Sequence, residues 1–493
     1  MTTRINVATG GDWNPTLVWY ARAVEELSGR PIVDRTSWRY LAAIHGISNR
    51  SDGNASDWIA QGIIGQNDPL PSASERRRAW DQCQHDTWFF LPWHRGYLWA
   101  FEAIVAKAVR DLGGPGNWAL PYWNYFDTGK AGTRKIPKAF LDETTPDGKP
   151  NPLAQPFRKG SVLGPTNDIP TDISLDAIQS RRFTSAPGTL AFGGGATGFW
   201  HIGGQLAGWL ESDPHNLVHI MIGGVRGRVG FMSDPNYAAL DPIFWLHHCN
   251  IDRLWSAWLT RSGNIQENGA SWSNGPQPRR FVMPNEAGGL AEFKPGDSLP
   301  GGPLAPTYDD LDIGTGAVAV IAGEIGGAAM PATLSDQPPP EARLLGQNGA
   351  RVVVGRNSVT TSVKLDEEGA NIAAAPQPQR IYLNLQNVQG NVPSASLKVS
   401  VGVAATDEHP AVDPVEVKTI AIFGLAKASD AAGPHAGAGL GFSIDITDLA
   451  KSIMTETNAA LDELEVHIEQ PGADADSPDI AVEKVSIVSQ PES

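Results

Sequence analysis

Cysteine is nearly absent from this chain of 493 residues, which carries only Cys83 and Cys249. Two thiols cannot build the disulfide framework of a small secreted domain, and a reducing cytoplasm is the simplest compartment to expect. No run of about 18 apolar residues occurs, so no segment is expected to span a bilayer. The opening MTTRINVATGGDW has no charged region followed by an apolar one, so no secretory signal is expected. Basic charge is also in deficit: 38 Lys plus Arg stand against 54 Asp plus Glu, a net charge of −16. Nucleic acid and anionic membrane surfaces, which attract basic patches, are therefore excluded as expected partners. With 41% hydrophobic and 19% charged residues, the chain has material for packed cores and does not read as disordered. Its length calls for two domains or more.

What is present is unevenly distributed. All sixteen tryptophans lie between Trp13 and Trp272, and eight of the eleven histidines between His45 and His248. From residue 346 onward there are 9 basic and 20 acidic side chains, net −11, against −5 for the first 345 residues. The first part reads helical. Trp38, Leu41 and His45 recur at helical spacing after a Thr36/Ser37 cap, Pro92 to Val109 has no breaker except Gly96, and Asp213-Pro214 resembles a cap with proline at the first helical position. The second part reads as strands, with alternating Leu397, Val399, Val401, Val403, then Phe442, Ile444, Ile446, then Leu464, Val466, Ile468. The expected architecture is an α-helical bundle over residues 1–315, a linker over 316–345, and an all-β, sandwich-like C-terminal domain over 346–493. The segment around Pro338–Pro340 reads as exposed linker.

The histidines carry the chemistry. His215 and His219 stand four apart, so on a helix both rings project from one face and can grip one metal. Alone that spacing is weak, because a helical histidine is more often merely capped or solvated. It is not the zinc-protease HExxH, since Asn216 follows His215. A second pattern strengthens it. FLPWHR (90–95) and FWLHHC (244–249) each place a phenylalanine four residues before a histidine, Phe90 before His94 and Phe244 before His248. With His45 and His85 the set amounts to two three-histidine half-sites, the last ligand being His247 or His248. All-imidazole ligation without carboxylates suits copper and not magnesium or calcium. Asp252, four after His248, puts a carboxylate on that histidine's face, where it would orient the ring.

The segments HDTWFFLPWHRGYLWAFE (85–102), LPYWNY (120–125), ESDPHNLVHIMIGG (211–224) and DPIFWLHHCNIDRLW (241–255) resemble the two copper-binding regions of the tyrosinase/polyphenol oxidase family of type-3 copper proteins. The resemblance covers residues 12–315. RIYLNLQNVQG, GFSIDITDL and ADADSPDIAVEKVSI weakly extend it to the C-terminal domain of plant-type enzymes. It implies a first copper on His45, His85 and His94 and a second on His215, His219 and His248, with His247 turned to an outer hydrogen bond. It implies a thioether between Cys83 and His85, as in fungal members, while Cys249 reads as a buried spectator. It implies that Glu211 and Asn216 hold a water that helps deprotonate an incoming phenol. It also implies a C-terminal domain that caps the copper site and keeps the enzyme latent.

The activity so implied is copper-dependent oxidation of phenols by O2: ortho-hydroxylation of monophenols and oxidation of o-diphenols to o-quinones. The cofactor is two copper ions, the substrates are small phenols, and a copper-delivery protein is a candidate partner. A catechol oxidase or o-aminophenol oxidase, and from a different class a haemocyanin-like O2 carrier, are the alternatives. In the loop 230–240, GFMSDPNYAAL, no bulky aromatic aligns with the plant gate residue, which leans toward an accessible site.

Overall fold

Three of the long helices begin where the sequence supplies a cap. Asn14 accepts a hydrogen bond from the Leu17 amide ahead of α1 (Pro15–Gly29), Ser37 from Tyr40 ahead of α2 (Trp38–His45), and Asp241 from Ile243 ahead of the helix Pro242–Leu259. Pro15 and Pro242 open two of them, at positions where a proline's missing N–H costs nothing. Between α2 and that last helix lie α3 (Phe90–Asp111) and α4 (Leu217–Gly223); Pro242–Leu259 is α5. Helix α3 packs against α1 and α5, and both α3 and α5 are buried along almost their whole length. The computed structural model describes residues 2–48, 53–127, 133–155, 158, 173–224, 230–313, 332–370, 378–392, 394–405, 410–433, 435–457, 462–473 and 477–492. Most of the expected linker lies outside the described residues; Thr333–Ser335, within it, pairs in parallel with Ile265–Glu267. Among the described residues no helix is long and apolar enough to cross a membrane.

The tryptophan-rich core of the helical part is stitched by stacked rings, such as Phe101 on Trp245 at 3.4 Å between centroids. It also buries ion pairs. Asp252 accepts from Arg95 Nε at 2.5 Å, Arg4 Nη1 at 3.0 Å and Tyr308 Oη at 2.6 Å, tying α3, α5 and both ends of the helical part together. Removing one member of such a buried pair costs about 3–5 kcal/mol, because the other charge stays unpaired.

Among the described residues the C-terminal part contains nine strands: β1 (Arg343–Gln347), β2 (Val352–Val354), β3 (Val359–Leu365), β4 (Gln379–Gln389), β5 (Ser394–Val403), β6 (Val412–Phe423), β7 (Leu440–Asp445), β8 (Glu463–Glu469) and β9 (Ile480–Pro491). They form one antiparallel sheet in the order β6-β5-β8-β3-β1-β9-β4-β7, with β2 on β9. The expectation of a sandwich is corrected here. Ladder pairing is continuous, register shifts at Leu385/Val388, Val399/Ser400 and Ile487/Val488 bend the sheet, and the edge strands β6 and β7 approach each other, so one sheet curls almost into a barrel. Leu397, Val399, Val401, Val403, Leu464, Val466 and Ile468 all face its core, as their alternation requires. A single helical turn, Glu367–Ala370, follows β3, and the helices α6 (Leu425–Ser429) and α7 (Thr447–Thr457) follow β6 and β7.

Candidate metal centre

Each histidine of the cluster reaches the site from an element that fixes its ring. His45 is the last residue of α2 and donates from Nδ1 to Pro235 O at 2.8 Å. His94, in the first turn of α3, donates from Nδ1 to Phe90 O, four residues back, at 2.8 Å. His219 on α4 donates to Met232 O at 2.8 Å, and His215, just before α4, pairs Nδ1 with Asn216 Oδ1 at 2.9 Å. With Nδ1 committed as donor, Nε2 keeps its lone pair for a metal. His85 lies in the stretch before α3 and His248 on α5.

The free nitrogens converge. Nε2 of His248 lies 3.2 Å from that of His215 and 3.3 Å from that of His219. Three imidazole nitrogens bound tetrahedrally at 2.0–2.1 Å to one ion stand about 3.3 Å apart, and these two separations match that spacing. His45, His85 and His94 form the second group, with Cys83 among them. The groups abut: the His94 and His248 rings stack with centroids 4.3 Å apart. His45 Nε2 and His248 Nδ1 are buried with no protein partner.

Electrostatics point the same way. Burial pushes the six histidines well below the usual imidazole range, His94 and His219 to about 3, with mutual repulsion adding to the shift in most of them. They are neutral at physiological pH, the state that binds metal. No carboxylate joins either group, so the donor set suits copper and rejects hard cations.

Around the rings, Phe90 sits 4.5 Å from His94 and 4.7 Å from His215, and Phe244 4.1 Å from His248 and 4.9 Å from His45, centroid to centroid. Each phenylalanine thus packs between both half-sites. His247 turns Nδ1 to Tyr125 Oη at 3.2 Å, yet its ring lies 5.3 Å from His215, and its buried Nε2 has no protein partner. Asp252 departs from the expectation of an oxygen bonded to His248: its carboxylate accepts from Arg95, Arg4 and Tyr308, while His248 Nδ1 has no protein partner. Cys83 Sγ lies 3.3 and 3.6 Å from the two ring nitrogens of His85 and 3.4 Å from His94 Nε2, while burial, with Glu211 beside it, pushes its thiol well up. Cys249 is buried near Leu120 O and Tyr308 Oη.

Glu211 begins the irregular turn that leads into α4. Its Oε1 accepts from the Asp86 amide at 2.9 Å, and its Oε2 is buried without a protein partner. Burial, reinforced by Asp86, raises its carboxyl well above the usual range. Asp213, expected to cap this helix, has a cap's extended backbone but sends its carboxylate to Ser174 and to Lys418 of β6 instead.

Several participants carry no signature in the sequence. Pro235 and Met232 act through carbonyls alone. His201 is buried and donates to Cys83 O, behind the first half-site. Phe423, the last residue of β6, lays its ring against His219, centroids 4.4 Å apart at 26°, and lies 5.8 Å from His85. The expectation of an accessible site is corrected by this residue. The aromatic over the second half-site comes from the C-terminal part, not from loop 230–240. His435 stacks on Trp200 of the helical part, ring centroids 3.7 Å apart.

The family model for the common central domain of tyrosinase matches residues 35–261, and a domain of unknown function, DUF7868, matches 341–490. A tyrosinase of Hahella sp. (strain CCB-MM4), HcTyr1, is 35% identical over 509 residues, covering 99% of this chain and all of the relative. The latent chloroplastic polyphenol oxidase of Prunus armeniaca is 31% identical over 44% of this chain, which spans only 36% of that protein. Latent apple tyrosinase, at 19% identity, superposes with a TM-score of 0.61 over 99% of this chain and 97% of its own, and shares the two-part fold.

Proposed function

The chain belongs to the tyrosinase family, whose members oxidise phenols with a pair of copper ions, and from that premise we propose that six histidines divide the pair between them. His45, His85 and His94 hold one copper and His215, His219 and His248 the other, across a helical bundle. The observation that carries this is the gathering of each group's ligand atoms within 4.8 Å, with Nε2 contacts of 3.2 and 3.3 Å in the second, and Nδ1 of four rings tied to an oxygen acceptor. When bound, the copper pair supplies two-electron redox chemistry with O2 as co-substrate.

The chain's own residues then bind, orient and deprotonate. Phe90 and Phe244 wall the site with aromatic faces. A monophenol has to lose its hydroxyl proton before its ring reacts, which a diphenol's oxidation does not demand to the same degree. We assign Glu211 as the acceptor of that proton through a water held with Asn216, a reading supported by its buried Oε2, which has no protein partner. This favours a tyrosinase that hydroxylates monophenols as well as oxidising diphenols, over a catechol oxidase or o-aminophenol oxidase. Glu211→Gln and Asn216→Ala should each lower the rate on tyramine about tenfold or more relative to 4-tert-butylcatechol, within the usual range for a lost general base. Steady-state rates of copper-loaded variants on both substrates test this; equal loss on the two would make both residues structural.

Cys83 and His85 form a thioether in the mature protein, an interpretation supported by sulfur packed against the ring. Each residue gives up one hydrogen, and O2 accepts the two electrons. The intact mass should then fall short of the sequence mass by two hydrogens, and Cys83 should resist alkylation in the unfolded chain. An alkylatable Cys83 in active, copper-matured protein would show that the bond is absent.

The C-terminal domain is a cap. Phe423 occupies the face of His219 that a phenol ring would approach, so the uncut chain is latent toward bulky substrates.

A further inference from the structure

Strand β6 does not end at Phe423 by running out into solvent. Gly424 turns the chain with φ +77°, and its Cα passes so close to the helical part that an added Cβ would stand 2.2 Å from Ile202 Cδ1 and 3.2 Å from Pro235 Cγ. Helix α6 follows at once and carries Lys427 into the helical part, where it is 3% exposed. Its ammonium donates to Ser48 O at 2.7 Å and Asn236 Oδ1 at 2.5 Å, with Asp81 Oδ1 at 3.7 Å. Phe423 and Lys427 are thus two prongs of one short hook, one on the copper face and one in a polar socket.

The socket is built from the frame of His45. Asp81 Oδ1 also accepts from the amides of Ile47 at 2.8 Å and Ser48 at 3.3 Å, just beyond His45. The Asp81 and Gln82 amides donate to Ala43 O and Ile44 O at the end of α2. Asn236 follows Pro235, whose carbonyl holds His45 Nδ1. Asp81 is fully buried and its Oδ2 has no protein partner; Lys427 Nζ lies 3.7 Å and His201 Nε2 3.9 Å from its Oδ1, while Arg279 donates to its backbone carbonyl.

We infer that Lys427 is the positioning residue that seats Phe423 in the site, holding the cap closed through the Asp81–Ser48–Asn236 socket; this rests on reading the C-terminal domain as a cap. The physical reason is asymmetry. When the cap lifts, water solvates the ammonium and all three acceptors, so the open state does not depend on the pair. When the cap is closed without the ammonium, Asp81 stays buried beside two carbonyl-type oxygens and loses the charge of Lys427, leaving only Arg279, which donates to the Asp81 carbonyl at 3.2 Å, as a permanent cation beside it. Lys427 therefore makes closure specific to one seating of the hook.

The test uses the copper-loaded full chain and two readouts. In Lys427→Met, backbone hydrogen exchange in peptides covering 424–429 and 46–48 should accelerate about tenfold or more, the low end of what an unpaired buried charge costs. Turnover of 4-tert-butylcatechol should rise several-fold, while Lys451→Met on exposed α7 changes neither readout. In Asp81→Asn/Lys427→Met the stranded charge is gone, and exchange should return toward that of the parent. Exchange in Lys427→Met as slow as in the parent, at unchanged copper content, overturns the inference, as does a double variant no slower than Lys427→Met. Faster exchange without a rise in turnover supports the anchor and overturns the cap.

Discussion

Replacing His94 or His219 with Ala should roughly halve the copper bound per chain and reduce phenol oxidation to background, because a three-imidazole site left with two ligands no longer holds its ion. The two substitutions test opposite half-sites. His94→Ala removes the ring's hydrogen bond to Phe90 O, and His219→Ala the one to Met232 O. Neither residue carries charge in the fold, since burial keeps both neutral, so each variant should still fold. Elemental analysis of protein reconstituted with copper gives the stoichiometry, and turnover of 4-tert-butylcatechol gives the activity. His467→Ala, on β8, where the ring meets Thr360 Oγ1 at 2.8 Å and Glu465 Oε2 at 3.8 Å, should retain both. Full activity in either ligand variant would remove that histidine from the copper assignment.

Removing the ring of Phe423 should have the largest effect in the opposite direction. Phe423→Ala opens the face of His219 without touching any nitrogen donor, and limited proteolysis near Arg343, at the half-exposed start of β1, frees the same face by loosening the whole domain. Activity toward bulky diphenols is expected to rise several-fold in both cases, with the copper content unchanged. Small catechols should gain less, since they need less of the space the ring fills. Rates on a series of diphenols of increasing bulk, before and after each treatment, supply the comparison. If the intact chain is already as active on large and small diphenols as the trimmed one, the domain serves stability or assembly and Phe423 is a packing contact. The two experiments separate cleanly, because one abolishes the centre and the other exposes it.

The placement of the histidines was legible because it is local. The i, i+4 pair His215/His219 and the Phe-to-His spacings of 90–94 and 244–248 reflect the 3.6-residue turn, which puts such residues on one face regardless of the rest of the chain. The cap at Ser37, the unbroken run that becomes α3, and the inward alternation of Leu397 to Val403 follow from the same short-range rules.

Where a side chain's role depends on what faces it, spacing was silent or misleading. Asp252 shares a face with His248 by count, yet it answers to Arg4 and Arg95, residues 248 and 157 positions away in sequence. The carbonyls that orient His45 and His219 come from Pro235 and Met232, and a carbonyl has no signature in a sequence because every residue has one. Alternating runs announced strands but not that they would join into one curled sheet, since register and bulges are settled by pairing across the chain. The sequence by itself determined that six histidines could serve two metals and that an acidic strand-rich domain would follow them. Only the tertiary structure decided that this domain would turn at Gly424, lay Phe423 on His219 and bury Lys427 beside Asp81, because those contacts join residues some 200 to 350 positions apart, beyond the reach of any local periodicity.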